Sequence, residues 1–236
     1  MVRHTENPTG KQRKRDGRML PSALVLLAAL LQILPGHAAD RPPIEQFVRQ
    51  LESSYKGVQS LKADFTQSYQ WGARTRQESG TVYFGRGGRM RWEYRAPSEK
   101  LFIADDKNVL MYIPEEKQLT RTTVKASEDV RVPFRLLLSR LDMHKVFDQI
   151  EFADGAMSAQ PGDNILRAIP KHGDDSGIHQ VLLDISAEYD IRRLEITYTD
   201  RSKMTFDFQG LKRNAPISAG LFQFTPPPGT QIIDQK

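Results

Sequence analysis

The 236-residue chain has no cysteine. Disulfide stapling, thiolate metal sites, thiol nucleophiles and cysteine lipidation are therefore all excluded, and the fold has to hold by its core alone. Histidine is scarce, and beyond residue 39 only His144, His172 and His179 remain. There is no G-x-S-x-G elbow, no H-E-x-x-H pair and no phosphate-cradling glycine loop. No nucleophile–base constellation stands out, and the chain reads as a binding protein, not an enzyme. No cofactor is expected. The formal charge is +5, but residues 1–39 hold six of the 34 Lys/Arg and two of the 29 Asp/Glu. The remainder is within one charge of neutral. That leaves no basic footprint for nucleic acid.

A long apolar run is also lacking. The best is Leu20–Leu34, 15 residues, shorter than the roughly 18–20 of a spanning helix. It follows the basic run Lys11-Gln12-Arg13-Lys14-Arg15 and precedes Pro35-Gly36-His37-Ala38-Ala39. This is the three-part pattern of an export signal. Residues 1–39 are expected to be a cleaved signal peptide, cut after Ala38 or Ala39. Residues 40–236 then form one domain in the periplasm. With no cysteine to lipidate, nothing in the sequence tethers that domain to a membrane.

The pattern beyond residue 40 is mostly of period two. Ile44, Phe47, Val48, Leu51 and Tyr55 mark one amphipathic helix, with Pro42 and Pro43 at its start and Gly57 after its end. Alternation follows. Leu61, Ala63 and Phe65 share one face, then Val82 and Phe84, then Met90, Trp92 and Tyr94. Leu101–Ala104 is a short apolar run, and Val109–Ile113 is apolar on both faces, so both should be covered. Alternation returns at Val181–Ile185, Leu194–Tyr198 and Met204–Phe208, with Tyr189-Asp190 and Asp200–Lys203 as turns. Phe134, Leu137, Leu138 and Leu141 have helical spacing, and Val146-Phe147 suggests a second short helical piece. The count is about nine to eleven antiparallel strands with few helices. Such a meander closes its apolar face as a barrel or a sandwich. A barrel of this size can enclose more space than its side chains fill, or its core can be packed solid.

Two local features have alternative readings. Arg86 shares parity with Val82, Phe84, Met90 and Trp92, so an unbroken strand would point it inward, where it needs acceptors. A turn at Gly87-Gly88 would instead leave it in solvent. His172 and His179 flank Asp174-Asp175, but the Gly- and Asp-rich run Lys171–His179 reads as a hairpin loop rather than a metal site.

Several stretches, in order, resemble the outer-membrane lipoprotein carrier (LolA) family. They are Leu61-Lys62-Ala63-Asp64-Phe65-Thr66-Gln67, Gly80–Arg86, Met90–Pro97, Tyr112-Ile113-Pro114-Glu115 and Phe222–Thr230. The resemblance implies an unclosed antiparallel β-barrel with a helical lid over a hydrophobic cavity. It implies a periplasmic chaperone that takes the acyl chains of lipoproteins from an inner-membrane ABC transporter to an outer-membrane receptor. On that footing Val82, Phe84, Met90, Trp92, Met111, Leu194, Ile196 and Phe206 are expected to line the lipid site. Leu137, Leu138 and Leu141 belong to the lid, and Arg86 is the lid latch. The family pattern has Pro after this arginine; here it is Gly87. A monomer is expected, with acylated lipoprotein as cargo. The rival readings are a carrier of another lipid (a glycolipid or phospholipid) and a periplasmic lipoprotein sensor.

Overall fold

The computed structural model describes residues 41–105, 107–123, 142–156, 158–171 and 177–235. Helix α1 (Ile44–Tyr55) forms where the sequence places its stripe. The Pro43 carbonyl accepts from the Gln46 and Phe47 amides, opening the first turn. Phe47, Val48, Leu51 and Tyr55 are buried.

The remainder is chiefly one twelve-stranded sheet. In chain order the strands are β1 (Ser60–Trp71), β2 (Arg74–Gly85), β3 (Arg89–Ala96), β4 (Lys100–Ala104), β5 (Asn108–Ile113) and β6 (Gln118–Thr123), followed by β7 (Phe147–Phe152), β8 (Asn164–Pro170), β9 (Ile178–Ile185), β10 (Ile191–Tyr198), β11 (Lys203–Arg213) and β12 (Gln231–Asp234). Their spatial order is β12-β6-β5-β4-β3-β2-β1-β11-β10-β9-β8-β7. The sheet is unclosed. All neighbours are antiparallel except β12 and β6. The count exceeds the expected nine to eleven because β12, a few residues after a proline run, adds itself in parallel to β6. The second mid-chain helical piece is α2 (Met143–Val146); Phe147 begins β7 instead of continuing the helix. The expected lid segment, with Leu137, Leu138 and Leu141, lies outside the described residues.

Cross-strand register builds the two faces. One row runs Ala63–Val82–Trp92–Phe102–Met111 across β1 to β5. A second runs Phe152–Leu166–Leu183–Leu194–Phe206–Gln67–Glu78 from β7 to β2. These rows share one face, which carries the main core. Helix α1 packs at its β7 end, where the Phe47 ring meets those of Phe152 and Tyr189 at 5.3 and 5.2 Å. The Tyr55 hydroxyl accepts from the Ile191 amide at 3.1 Å.

The opposite face has a smaller apolar patch of Ile103, Tyr112 and Leu119, all buried. The chain after β11 covers it. The Phe224 ring lies 5.0 Å from that of Tyr112, and the Leu221 carbonyl accepts from Arg91 Nη1 at 3.0 Å. The Phe222 ring packs so closely on Gly85 that a Cβ there would lie 2.7 Å from it. β5 is thus covered on both faces, Val109 on one and Tyr112 on the other, as its unbroken apolar run requires.

A candidate lipid-binding face

The site is built on the strand faces whose alternation the sequence displays. Val82, Phe84, Met90, Trp92, Leu194, Ile196 and Phe206 are all buried in one cluster. Met111 lies on the same face by register with Phe102 but is only half-buried and outside that cluster. Trp92 is the hub. Its ring contacts Phe65 at 4.8 Å, Phe206 at 5.3 Å, Phe84 at 5.6 Å and Phe208 at 6.3 Å between centroids. The edge-on and tilted geometries suit the ring quadrupoles. The indole N–H donates to Met90 Sδ at 3.4 Å. Phe65 and Phe208 belong to this surface although they were absent from the expected lining. Their parity with Ala63 and Phe206 was the signal available for finding them.

The apolar face ends in a buried polar margin. The Tyr94 hydroxyl donates to Gln67 Oε1 at 2.8 Å, and Lys100 Nζ donates to Glu78 Oε1 at 2.6 Å. Arg76 pairs with the same carboxylate at 2.7 Å. The Lys100 ammonium also lies 4.5 Å from the centre of the Tyr94 ring. Burial, and then the Glu78 charge, push the Tyr94 phenol well above its ordinary pKa, so it stays a neutral donor. The half-buried Lys100 and the 7%-exposed Glu78 compensate each other, as charges this deep must.

Arg86 corrects the inward expectation. Gly87 and Gly88 take φ of 77° and 82°, closing a single 3-10 turn (Arg86–Gly88) between β2 and β3. The strand is therefore broken at Arg86 and its parity no longer holds. The side chain is exposed, and no hydrogen bond or ion pair joins it to a described residue. Its carbonyl accepts from Arg89 Nε at 3.0 Å. β8 ends at Pro170 and β9 begins at Ile178, within the Lys171–His179 run. His179 is exposed on β9, while His172, Asp174 and Asp175 lie outside the described residues. Among the described residues no group of three or more His, Asp or Glu is placed to hold a metal. No described helix is long and apolar enough to cross a membrane.

Comparison with known proteins gives the family. The family model described as outer membrane lipoprotein carrier protein LolA matches residues 56–225. An outer-membrane lipoprotein carrier protein from Dechloromonas aromatica is 30% identical over 191 residues, covering 80% of this chain and 88% of the relative. One from Bordetella avium is 30% identical over 219 residues, covering 92% and 96%. Among solved structures, an uncharacterized conserved protein from Thermus thermophilus matches 81% of this chain and 98% of its own, with a TM-score of 0.49 and 13% identity. A LolA superfamily protein from Nitrosomonas europaea matches 78% and 99%, with a TM-score of 0.43 and 6% identity. With the family model spanning most of the chain, this protein belongs to the LolA family of outer-membrane lipoprotein carriers.

Proposed function

We propose that this protein is a periplasmic chaperone that shields the acyl chains of lipoproteins in transit from the inner membrane to an outer-membrane receptor. Residues 1–39 serve as a cleaved export signal, and residues 40–236 are the carrier. An inner-membrane ABC transporter loads it. The observation that carries this reading is the continuous apolar face from Met111 to Leu194, centred on Trp92, in a member of a lipoprotein-carrier family. The chemistry demands such a surface. Each methylene left in water costs about 0.8 kcal/mol, so an acylated protein does not cross an aqueous compartment unaided. Val82, Phe84, Met90, Trp92, Met111, Leu194, Ile196 and Phe206 contact the chains. Met90 and Met111 supply flexible side chains that adapt to chains of different length. The segment holding Leu137, Leu138 and Leu141 covers them.

The test is native mass spectrometry of protein taken from the periplasm, followed by extraction of whatever is bound. Co-purifying acylated lipoprotein is the expected result. A bound glycolipid or phospholipid without protein would replace the cargo assignment. An empty protein that also takes no lipoprotein from loaded inner-membrane vesicles would mean that the apolar face is packed core alone.

A further inference from the structure

The β1–β2 hairpin outruns β3 but is followed by β11 almost to its end. β11 last pairs with β1 at Gln70, and β3 last pairs with β2 at Ser79. The β2 side of the tip, closed by Gly72 and Ala73, therefore lacks a neighbouring strand, and residues 70–77 are all exposed. At the tip sits Trp71, 57% exposed, one of two large exposed apolar side chains among the described residues. It continues the column Leu61, Ala63, Phe65, Gln67, Tyr69 from the buried core to the rim.

The surroundings of Trp71 are basic. The Arg74 guanidinium lies 5.9 Å from the Trp71 ring centre, and no carboxylate pairs with it among the described residues. Arg76 and Lys100 share the single Glu78 carboxylate. Arg201, exposed in the β10–β11 turn, lies at the same end of the sheet, next to Lys203, which pairs with Glu195. Asp200 in the same turn accepts from the Ser202 amide and sets one negative charge beside Arg201. A tryptophan beside an unpaired arginine on an exposed tip suits the headgroup layer of a bilayer, where the ring is part apolar and part wet and the cation meets phosphates. It suits a protein interface less well. A tryptophan hot spot lies at the centre of a broad patch that excludes water, and this narrow tip has no such rim.

We propose that the hairpin tip is a contact site for an anionic phospholipid surface, with Trp71 entering the headgroup layer and Arg74 pairing with lipid phosphates. One ring and a few cations give weak, reversible contact, which allows the protein to touch a membrane and leave it. The site lies beyond the polar margin of Gln67, Tyr94 and Glu78 and does not depend on what the apolar face carries.

The experiment mixes the purified protein, without cargo, with phosphatidylglycerol–phosphatidylcholine vesicles and with phosphatidylcholine vesicles, at low and high salt. Co-sedimentation gives partitioning. Tryptophan emission reports the tip, because the only other tryptophan, Trp92, is buried. The expected result is a blue shift and partitioning on the anionic vesicles only, lost at high salt. Arg74→Gln weakens it by about fivefold, the loss expected for one cation near a charged surface, and Trp71→Ala weakens it and abolishes the blue shift. Both positions are exposed, so neither variant should unfold the protein. No partitioning at low salt, equal partitioning on both vesicle types, or unaltered partitioning of Trp71→Ala would each overturn the proposal. Because no lipoprotein is present, such a failure leaves the carrier reading standing, and a failure of cargo uptake leaves this one standing.

Discussion

The rings of Phe65 and Tyr94 meet edge-on at 5.0 Å across Gly80, the residue that lies between them in the sheet. Gly80 makes this possible by bringing β2 against β3. A Cβ on Gly80 would stand 1.9 Å from the Glu93 carbonyl oxygen and 2.9 Å from Tyr94 Cα. Both are backbone atoms, so no rotamer change relieves the clash. Gly80→Ala should therefore cost about 3 kcal/mol or more, at the upper end for a single overpacking substitution. Urea unfolding measures it. A loss below about 1 kcal/mol would mean that the strands separate easily and that the Phe65–Tyr94 contact is not tightly held.

Trp92 and Met111 separate packing from binding. Trp92 touches four other aromatic rings, so Trp92→Ala should destabilise by about 3–5 kcal/mol whatever the protein carries. Its effect on cargo would be hard to assign. Met111 is half-buried outside the main cluster. Met111→Ala should cost about 1 kcal/mol or less in stability while lowering lipoprotein uptake from inner-membrane vesicles severalfold. Uptake at the wild-type level would remove Met111 from the lining.

Asp184 sets a pH dependence. It is buried on β9, accepts from the Ala159 amide through Oδ2, and has no hydrogen-bond donor at Oδ1. Burial first, and then the neighbouring Asp163 carboxyl, push its pKa from 3.8 up to about 6, against the pull of the Ala159 amide and Arg193. Asp163 is itself paired with Arg192 at 2.9 Å. Between the unfolded value of 3.8 and the folded value of about 6, the folded state thus holds a proton that the unfolded chain has lost. The contribution of Asp184 is fully present below about pH 4 and is lost as the pH rises through about 6. Asp184→Asn keeps the acceptor and supplies a donor in place of that proton. It should stabilise the protein at neutral pH by on the order of 1–2 kcal/mol, with the gap shrinking in acid. A variant less stable than wild type at neutral pH would show that the folded state prefers the carboxylate.

Helix α1 and the wet-dry alternation of β3 were legible because each depends on residues close in sequence. The rows across the sheet were not, since they depend on register. Tyr94 reaches Gln67 across 27 positions and Lys100 reaches Glu78 across 22. The polar margin therefore had no sequence signal. Phe65 and Phe208 could be placed on the right face by parity, but not beside Trp92. Of the two readings of Arg86, the turn at Gly87-Gly88 holds and the inward one does not. Counting by twos assumes an unbroken strand, and two glycines with positive φ end that assumption at the residue in question. β12 had little signal of its own: Gln231-Ile232-Ile233-Asp234 is a strand because the β6 edge offers partners and Arg121 pairs with Asp234 at 2.7 Å.

Arg86 can still be tested as a latch. Its side chain is exposed in the turn between β2 and β3, so it contributes little to the stability of the sheet. Arg86→Leu should change unfolding free energy by no more than about 0.5 kcal/mol. If Arg86 holds a covering segment in place, the same substitution should speed hydrogen exchange across residues 124–141 and alter the transfer of bound lipoprotein to its receptor. Both readouts are needed, because a surface charge could affect transfer through the receptor alone. Unchanged exchange in that segment, together with unchanged transfer, would leave Arg86 as a solvated turn residue and remove the latch from the mechanism.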